Sequence, residues 1–303
     1  MQFKIGPLKL DNRLVLAPMY RITDLPFRLL CRQQGAGFCF SEMINSEALI
    51  RNNKSNWMLA ETIEQDFPLA MQLFGARTES MRKAAELLIE KKRFEILDLN
   101  LGCPSHGILN QGAGAALLKR PKRIEEIISC WKDLGKPITA KIRISPNILH
   151  SIKLAKIIEK AGASALIVHA RTIEQQHKGL PSFSALKRIK KSIGIPVIGN
   201  GGIKNKEGFE LMLEKTKCNA VMIGNSAIGN PGIFSEILGK KSLSREQALF
   251  RYLELSEKFE IQKFGRLKTQ ALSFLHAKKY AALKQELVKA KSMQELKEGI
   301  AKI

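Results

Sequence analysis

Eight short apolar runs, spaced at intervals of roughly 25–40 residues, constrain the fold of this chain more than any other feature. They cover residues 14–17, 38–41, 69–74, 96–101, 138–142, 165–169, 196–199 and 220–223. Apolar residues recur with helical periodicity between them, over 78–92, 121–134, 151–161, 183–192 and 206–215. Asp24 or Thr23 can cap a first helix, and Gly162 can end the one over 151–161. The runs are mostly unbroken rather than alternating, which is the pattern of strands covered on both faces. Eight β/α units in about 240 residues predict an α/β fold, a TIM (β/α)8 barrel. A doubly wound sheet is the alternative, but it needs a switch point that the sequence does not display. Residues 1–13, with turns at Gly6-Pro7 and Asp11-Asn12, read as a hairpin plugging the amino end of the barrel.

The pattern changes after Gly239. Residues 241–303 hold no strand-like run and three periodic helical stretches, 245–263, 269–287 and 292–303. The expected division is a barrel over 1–240 and a small helical domain over 241–303. The chain carries 50 Lys and Arg against 28 Asp and Glu, a net charge of +22. The last 63 residues hold +7 of it and the barrel region +15. Such a surplus favours a polyanionic partner. A lysine-rich proteome, and a tail that simply packs on the barrel with solvated lysines, would account for the same charge.

Five widely spaced cysteines with no CxxC pair argue against a disulfide framework and against a cysteine-rich metal site. No HExxH spacing or cluster of carboxylates at strand ends suggests a metal, and a Ser/His/Asp triad is unsupported. No apolar run approaches the roughly 18 residues needed to span a bilayer. The first ten residues lack the apolar core of a signal peptide, so a cytoplasmic protein with no membrane partner is expected.

In a parallel α/β fold, side chains at the carboxyl ends of strands face the ligand. The strand over 96–101 ends in Asn100-Leu101-Gly102-Cys103-Pro104, so Asn100 and a turn-borne thiol emerge at that end. Other strand ends supply Pro18 and Met19, Gln72, Lys141 and Arg143, and His169 and Arg171. A lysine inside a barrel strand is costly unless it meets an anion or an acceptor. His169 and Gln72 are, taken singly, equally well read as satisfied core residues. Asn200-Gly201-Gly202 and Gly224-Asn225 follow the last two strands, where loops often cradle phosphate through backbone N–H groups. The set suits a phosphorylated planar cofactor with a proton donor opposite it.

These residues resemble the tRNA-dihydrouridine synthases. The likeness rests on Ala17-Pro18-Met19, Ile22-Thr23-Asp24, Pro26-Phe27-Arg28, Asn100 to Pro104, Lys141-Ile142-Arg143, His169 to Thr172, Asn200-Gly201-Gly202 and Ile223-Gly224. It is collinear over roughly residues 10–235, and the tail matches the family's C-terminal domain in size and position. The resemblance implies FMN-dependent reduction of uridine in tRNA to 5,6-dihydrouridine, with NADPH reducing the flavin. It implies that Pro18, Met19, Gln72, Lys141 and His169 contact the flavin, and that Asn200, Gly201, Gly202, Gly224 and Asn225 hold its phosphate. Asn100, Lys141 and Arg171 would face the substrate, Asn100 orienting the uracil. Cys103 would protonate C5 after hydride reaches C6; a thiol with an ordinary pKa of about 8.5 suits that task. A monomer with a tRNA-binding tail is expected. Two departures stand out. The family usually has Ala-Gly where this chain has Tyr20-Arg21, and Arg where it has Asn225. The alternatives are a free-pyrimidine, dihydroorotate-like flavin dehydrogenase, and a tRNA-binding protein that has lost flavin turnover.

Overall fold

The computed structural model describes residues 3–176, 178–259, 263–276 and 278–301. The chain opens with an antiparallel pair, β1 (Phe3–Ile5) and β2 (Leu8–Leu10). Eight parallel strands follow: β3 (Leu14–Leu16), β4 (Phe38–Asn45), β5 (Leu69–Phe74), β6 (Ile96–Leu101), β7 (Ile138–Arg143), β8 (Ala165–His169), β9 (Val197–Asn200) and β10 (Ala220–Ile223). They pair in chain order, and β10 returns to β3 through Val221↔Leu14 and Ile223↔Leu16, closing the barrel. This is the TIM barrel expected from the spacing. Phe3, Ile5 and Leu10 pack into the barrel's inner apolar cluster, so the opening pair does plug the barrel. Residues 1–2 of the expected hairpin lie outside the described residues.

The apolar runs look unbroken because each strand has two apolar faces. Leu97, Leu99 and Leu101 pack outward under the helices, as do Leu69, Met71, Ile138 and Ile142. Phe38, Phe40, Ala70, Ile96, Ala165 and Ile167 fill the interior. The inner face turns polar only towards the carboxyl end, at Gln72, Asp98, Asn100, Thr139, Lys141, His169 and Asn200. That switch, apolar below and polar above, places the chemistry at one mouth.

Local signals explain the helix ends. Asp24 rather than Thr23 caps the Leu25–Gln33 helix: its side chain accepts from the Phe27 N–H at 2.9 Å. The Ile148–Lys160 helix stops before Gly162, which has φ +107°. Arg28 and Asp66 form a buried ion pair at 2.7 Å. The same guanidinium donates to the carbonyls of Thr23 and Glu61, fixing the first helix against the segment before β5.

Three expectations need correction. Strand β4 runs to Asn45 rather than ending at residue 41. The helix over 121–134 stops at Ser129, and a short 3-10 turn, Lys132–Leu134, follows. The helix over 269–287 does not exist as one piece: Phe264–Ser273 ends, and Ala281–Val288 begins anew. The break lets Phe274 stack on Tyr252, with centroids 5.6 Å apart, and meet Phe27 edge-on. The other tail helices are Arg245–Phe259 and Met293–Ile300; residues 260–262, 277 and 302–303 of the expected stretches lie outside the described residues.

Candidate active site

A cavity of about 440 Å³ opens at the carboxyl ends of the barrel strands. Every site residue expected from the sequence lines it. Pro18 and Met19 follow β3, and Gln72 stands on β5. Asn100 and Cys103 come from β6 and its loop, Lys141 from β7, and His169 and Arg171 from β8 and its loop. The loop starting at Asn200 adds Gly201 and Gly202, and the one after β10 adds Gly224 and Asn225.

A hydrogen-bonded ladder underlies one wall. Buried Asp98 accepts from Thr139 Oγ1 and from Gln72 Nε2, both at 2.6 Å. Gln72 Oε1 accepts from Asn100 Nδ2 at 2.8 Å. Asn100 Oδ1 accepts from the N–H groups of Gly102 and Cys103, each at 3.1 Å. The remaining Asn100 amide hydrogen faces the Met43 sulfur at 3.8 Å. Asn100 is therefore occupied in shaping the Cys103 loop. The Cys103 carbonyl in turn accepts from the Ala115 N–H at 3.0 Å. Cys103 itself is half-buried at the cavity wall.

Charge at the mouth is one-sided. Lys141, Arg143, Arg171 and Lys204 line the cavity, and no carboxylate does so among the described residues. Burial, and secondarily repulsion from Arg143, pulls the Lys141 ammonium down to about 8. Burial pushes Asp98 up to about 6, against the pull of its Thr139 and Gln72 hydrogen bonds. Arg143 donates to the carbonyls of Gly102 at 3.0 Å and Gln176 at 2.8 Å, tying the β6 and β8 loops together. Arg171 donates to the Gly179 carbonyl at 3.0 Å.

The Gly201-Gly202 turn is one that side chains would fill. Gly201 has φ +124°, and a Cβ there would lie 3.1 Å from the His169 ring. Gly202 has φ +78°, and a Cβ would lie 2.9 Å from Pro181. Positive φ and these close approaches together require glycine at both positions. Asn200 anchors this turn by donating to the Met222 carbonyl at 2.9 Å.

The sequence reading stopped β4 at residue 41 and so missed the site residues on its second half. A bulge lies between Phe40 and Met43, where the pairing register with β5 slips. The Ser41 hydroxyl bridges the gap, accepting from the Gln72 N–H at 3.0 Å and donating to the Glu42 carbonyl at 2.8 Å. Met43 is brought level with Gln72 and into the cavity wall. Glu42 is instead buried beside Arg21, whose N–H it accepts at 2.6 Å, and forms an ion pair with Arg266 of the tail. Bulges next to sites commonly re-aim side chains in this way. The carboxylate of Glu42 inside an apolar run was the available signal. Lys204 and Ser226 also line the cavity; Ser226 donates to the Ile203 carbonyl and joins the last two loops.

Comparison with known proteins agrees with this architecture. The model of the dihydrouridine synthase (Dus) family matches residues 15–302, nearly the whole chain. The chain belongs to the dihydrouridine synthase family. Among curated relatives, a tRNA-dihydrouridine synthase B of Pseudomonas aeruginosa is 36% identical over 237 residues, covering 77% of this chain and 71% of the relative. The Vibrio vulnificus protein of the same name is 38% identical over 241 residues, covering 77% and 73%. That of Pasteurella multocida is 36% identical over 253 residues, covering 81% and 76%. A chain of the Amycolatopsis orientalis BexX/CysO complex shares the fold alone: TM-score 0.53, 18% identity, covering 84% of this chain and 95% of that one. The family match spans both the barrel and the tail, so this dihydrouridine synthase family member carries the family's pattern through its helical segment as well.

Proposed function

We propose that this chain reduces uridine in tRNA to 5,6-dihydrouridine, with FMN as its cofactor and NADPH as the reductant. The observation that carries this reading is the cavity itself: a thiol on a braced loop, a glycine turn and four cations, with no opposing carboxylate among the described residues. The donor set fits FMN. Pro18, Met19, Gln72, Lys141 and His169 surround the space for the ring. Gly201, Gly202, Gly224 and Asn225 would receive the phosphate, with Asn200 fixing the turn. Lys204 and Arg171 supply cations near that turn, where the family's usual arginine is replaced by Asn225.

When bound, FMN would be the source of the hydride for C6 of the uracil ring. Cys103 gives its Sγ proton to C5 as the C5=C6 bond is lost, and the half-exposed thiolate regains a proton from water. Lys141 offsets the negative charge that develops on the ring. Asn100 does not orient the uracil in this account, because its amide is committed to Gln72 and the Cys103 loop; it holds the donor in place. The target uridine must leave its stack to reach the cavity. Residues 241–303, with their net charge of +7, form the proposed tRNA-binding domain. Lys279 is tied to Glu246 at 3.1 Å, so some of that charge is structural.

The test is product formation. Purified protein with FMN and NADPH is incubated with an unmodified tRNA transcript, with uridine or with orotate, and each is analysed by mass spectrometry. Two added hydrogens on a transcript uridine are expected. Reduction of a free pyrimidine in place of tRNA would make this a free-base enzyme. Failure to retain FMN would favour the tRNA-binding reading.

A further inference from the structure

Asp98 lies one layer below the cavity and does not line it, yet it governs the polarity of the wall above. An amide side chain can present either its oxygen or its NH2 to a neighbour, whereas an ionised carboxylate can only accept. Asp98 Oδ2 faces Gln72, so Gln72 must turn Nε2 downwards, and it does, at 2.6 Å. That leaves Gln72 Oε1 facing Asn100, which must turn Nδ2 towards it, and does, at 2.8 Å. Asn100 Oδ1 is then left for the loop and accepts from the Gly102 and Cys103 N–H groups. Reversing either amide would set donor against donor or acceptor against acceptor. Thr139 satisfies the other Asp98 oxygen at 2.6 Å, so the polarity of the chain of bonds is set at its base.

We propose that Asp98 is a positioning residue: it sets the sense of two buried amides and through them fixes the backbone that carries Cys103. The link from that backbone to catalysis rests on the reading of Cys103 as the proton donor. The relay itself does not.

The test exchanges the polarity of the first rung and reads backbone protection in the purified full chain. Gln72→Glu sets a carboxylate against Asp98. Two such groups share a proton at acid pH and repel as pH rises. Amide hydrogen exchange at Gly102 and Cys103 should then run roughly tenfold faster than in the wild type at alkaline pH, as for the loss of one buried hydrogen bond, and approach the wild type towards acid. Adding Asp98→Asn should restore protection at every pH. The new amide then donates to the new carboxylate while its oxygen still accepts from Thr139, and the net charge is unchanged. Gln72→Met, which removes both polar ends without changing the charge, should accelerate exchange at all pH values and covers the case in which Gln72→Glu does not fold.

Wild-type protection in Gln72→Glu and Gln72→Met would overturn the relay. So would a folded double variant as unprotected as Gln72→Glu alone. If the exchange pattern appears but the wild type reduces no uridine, the relay is upheld and the role given to Cys103 falls.

Discussion

At the scale of single residues, the cavity works through groups held away from their ordinary behaviour. Lys141 is kept near 8 by burial and by Arg143, with Asp98 and Cys103 pulling the other way. Its ammonium is therefore present below about pH 8 and lost above it. Single-turnover uridine reduction should fall as pH rises through that value. Arg143→Gln removes the second cause and should move this alkaline limb upwards, whatever it does to the maximum rate. A pH profile with an unmoved limb would contradict the placement of Lys141. Such residues were legible in the sequence because a lysine, an asparagine and a thiol at strand ends have few structural uses. The roles within the set were less legible. The sequence offers Asn100 as a substrate contact and does not show its bonds to Gln72 and the Cys103 loop, and Asp98 passes for part of an apolar run. Arg21 is a further case: it sits at φ +62° where the family usually has glycine, with its N–H fixed by Glu42. A sequence shows the substitution but not the left-handed backbone that makes it costly.

At the scale of elements, the barrel strands were visible in advance because both their faces are apolar and their lengths are bounded by turns. Strand β4 was cut short because its apolar run stops at Ser41-Glu42, where the bulge lies. The tail helix over 269–287 was drawn too long because its periodicity continues through Phe274, while the packing of that ring against Tyr252 and Phe27 turns the chain aside. Around the first helix, one buried pair dominates. Removing one partner of such a pair leaves an uncompensated charge and costs about 3–5 kcal/mol. Arg28→Ala should lower unfolding stability by about that much in a urea titration, and Asp66 would be left buried without its guanidinium. A loss below about 1 kcal/mol would mean that the pair behaves as an exposed one.

At the scale of the whole molecule, the tail is joined to the barrel rim by polar contacts beside the cavity. Gln270 donates to the Ile22 carbonyl at 2.6 Å, Arg266 pairs with Glu42, and Tyr252 meets both Gln270 and Asp24. Burial pushes the Asp24 carboxyl up from its usual 3.8 to about 7, with Glu42 adding to the shift and the Phe27 N–H opposing it. Because the folded value is the higher one, this group's contribution to stability is complete below about pH 4 and is lost as pH rises to about 7. Asp24→Asn keeps the helix cap and removes that loss. It should raise Tm at about pH 8 and leave it unchanged near pH 4; equal effects at both would refute the shift. The same junction places a basic helical segment next to the cavity mouth, which suits a polyanionic substrate. The central claim is that Cys103 protonates a tRNA uridine in this cavity. It is tested most directly by loading wild-type and Cys103→Ala protein with FMN, reducing both without oxygen, and following flavin reoxidation on addition of unmodified tRNA. The account predicts rapid reoxidation with dihydrouridine formed by the wild type, and a rate at least roughly a hundredfold lower in a variant that still binds flavin. Equal rates in the two proteins would contradict it.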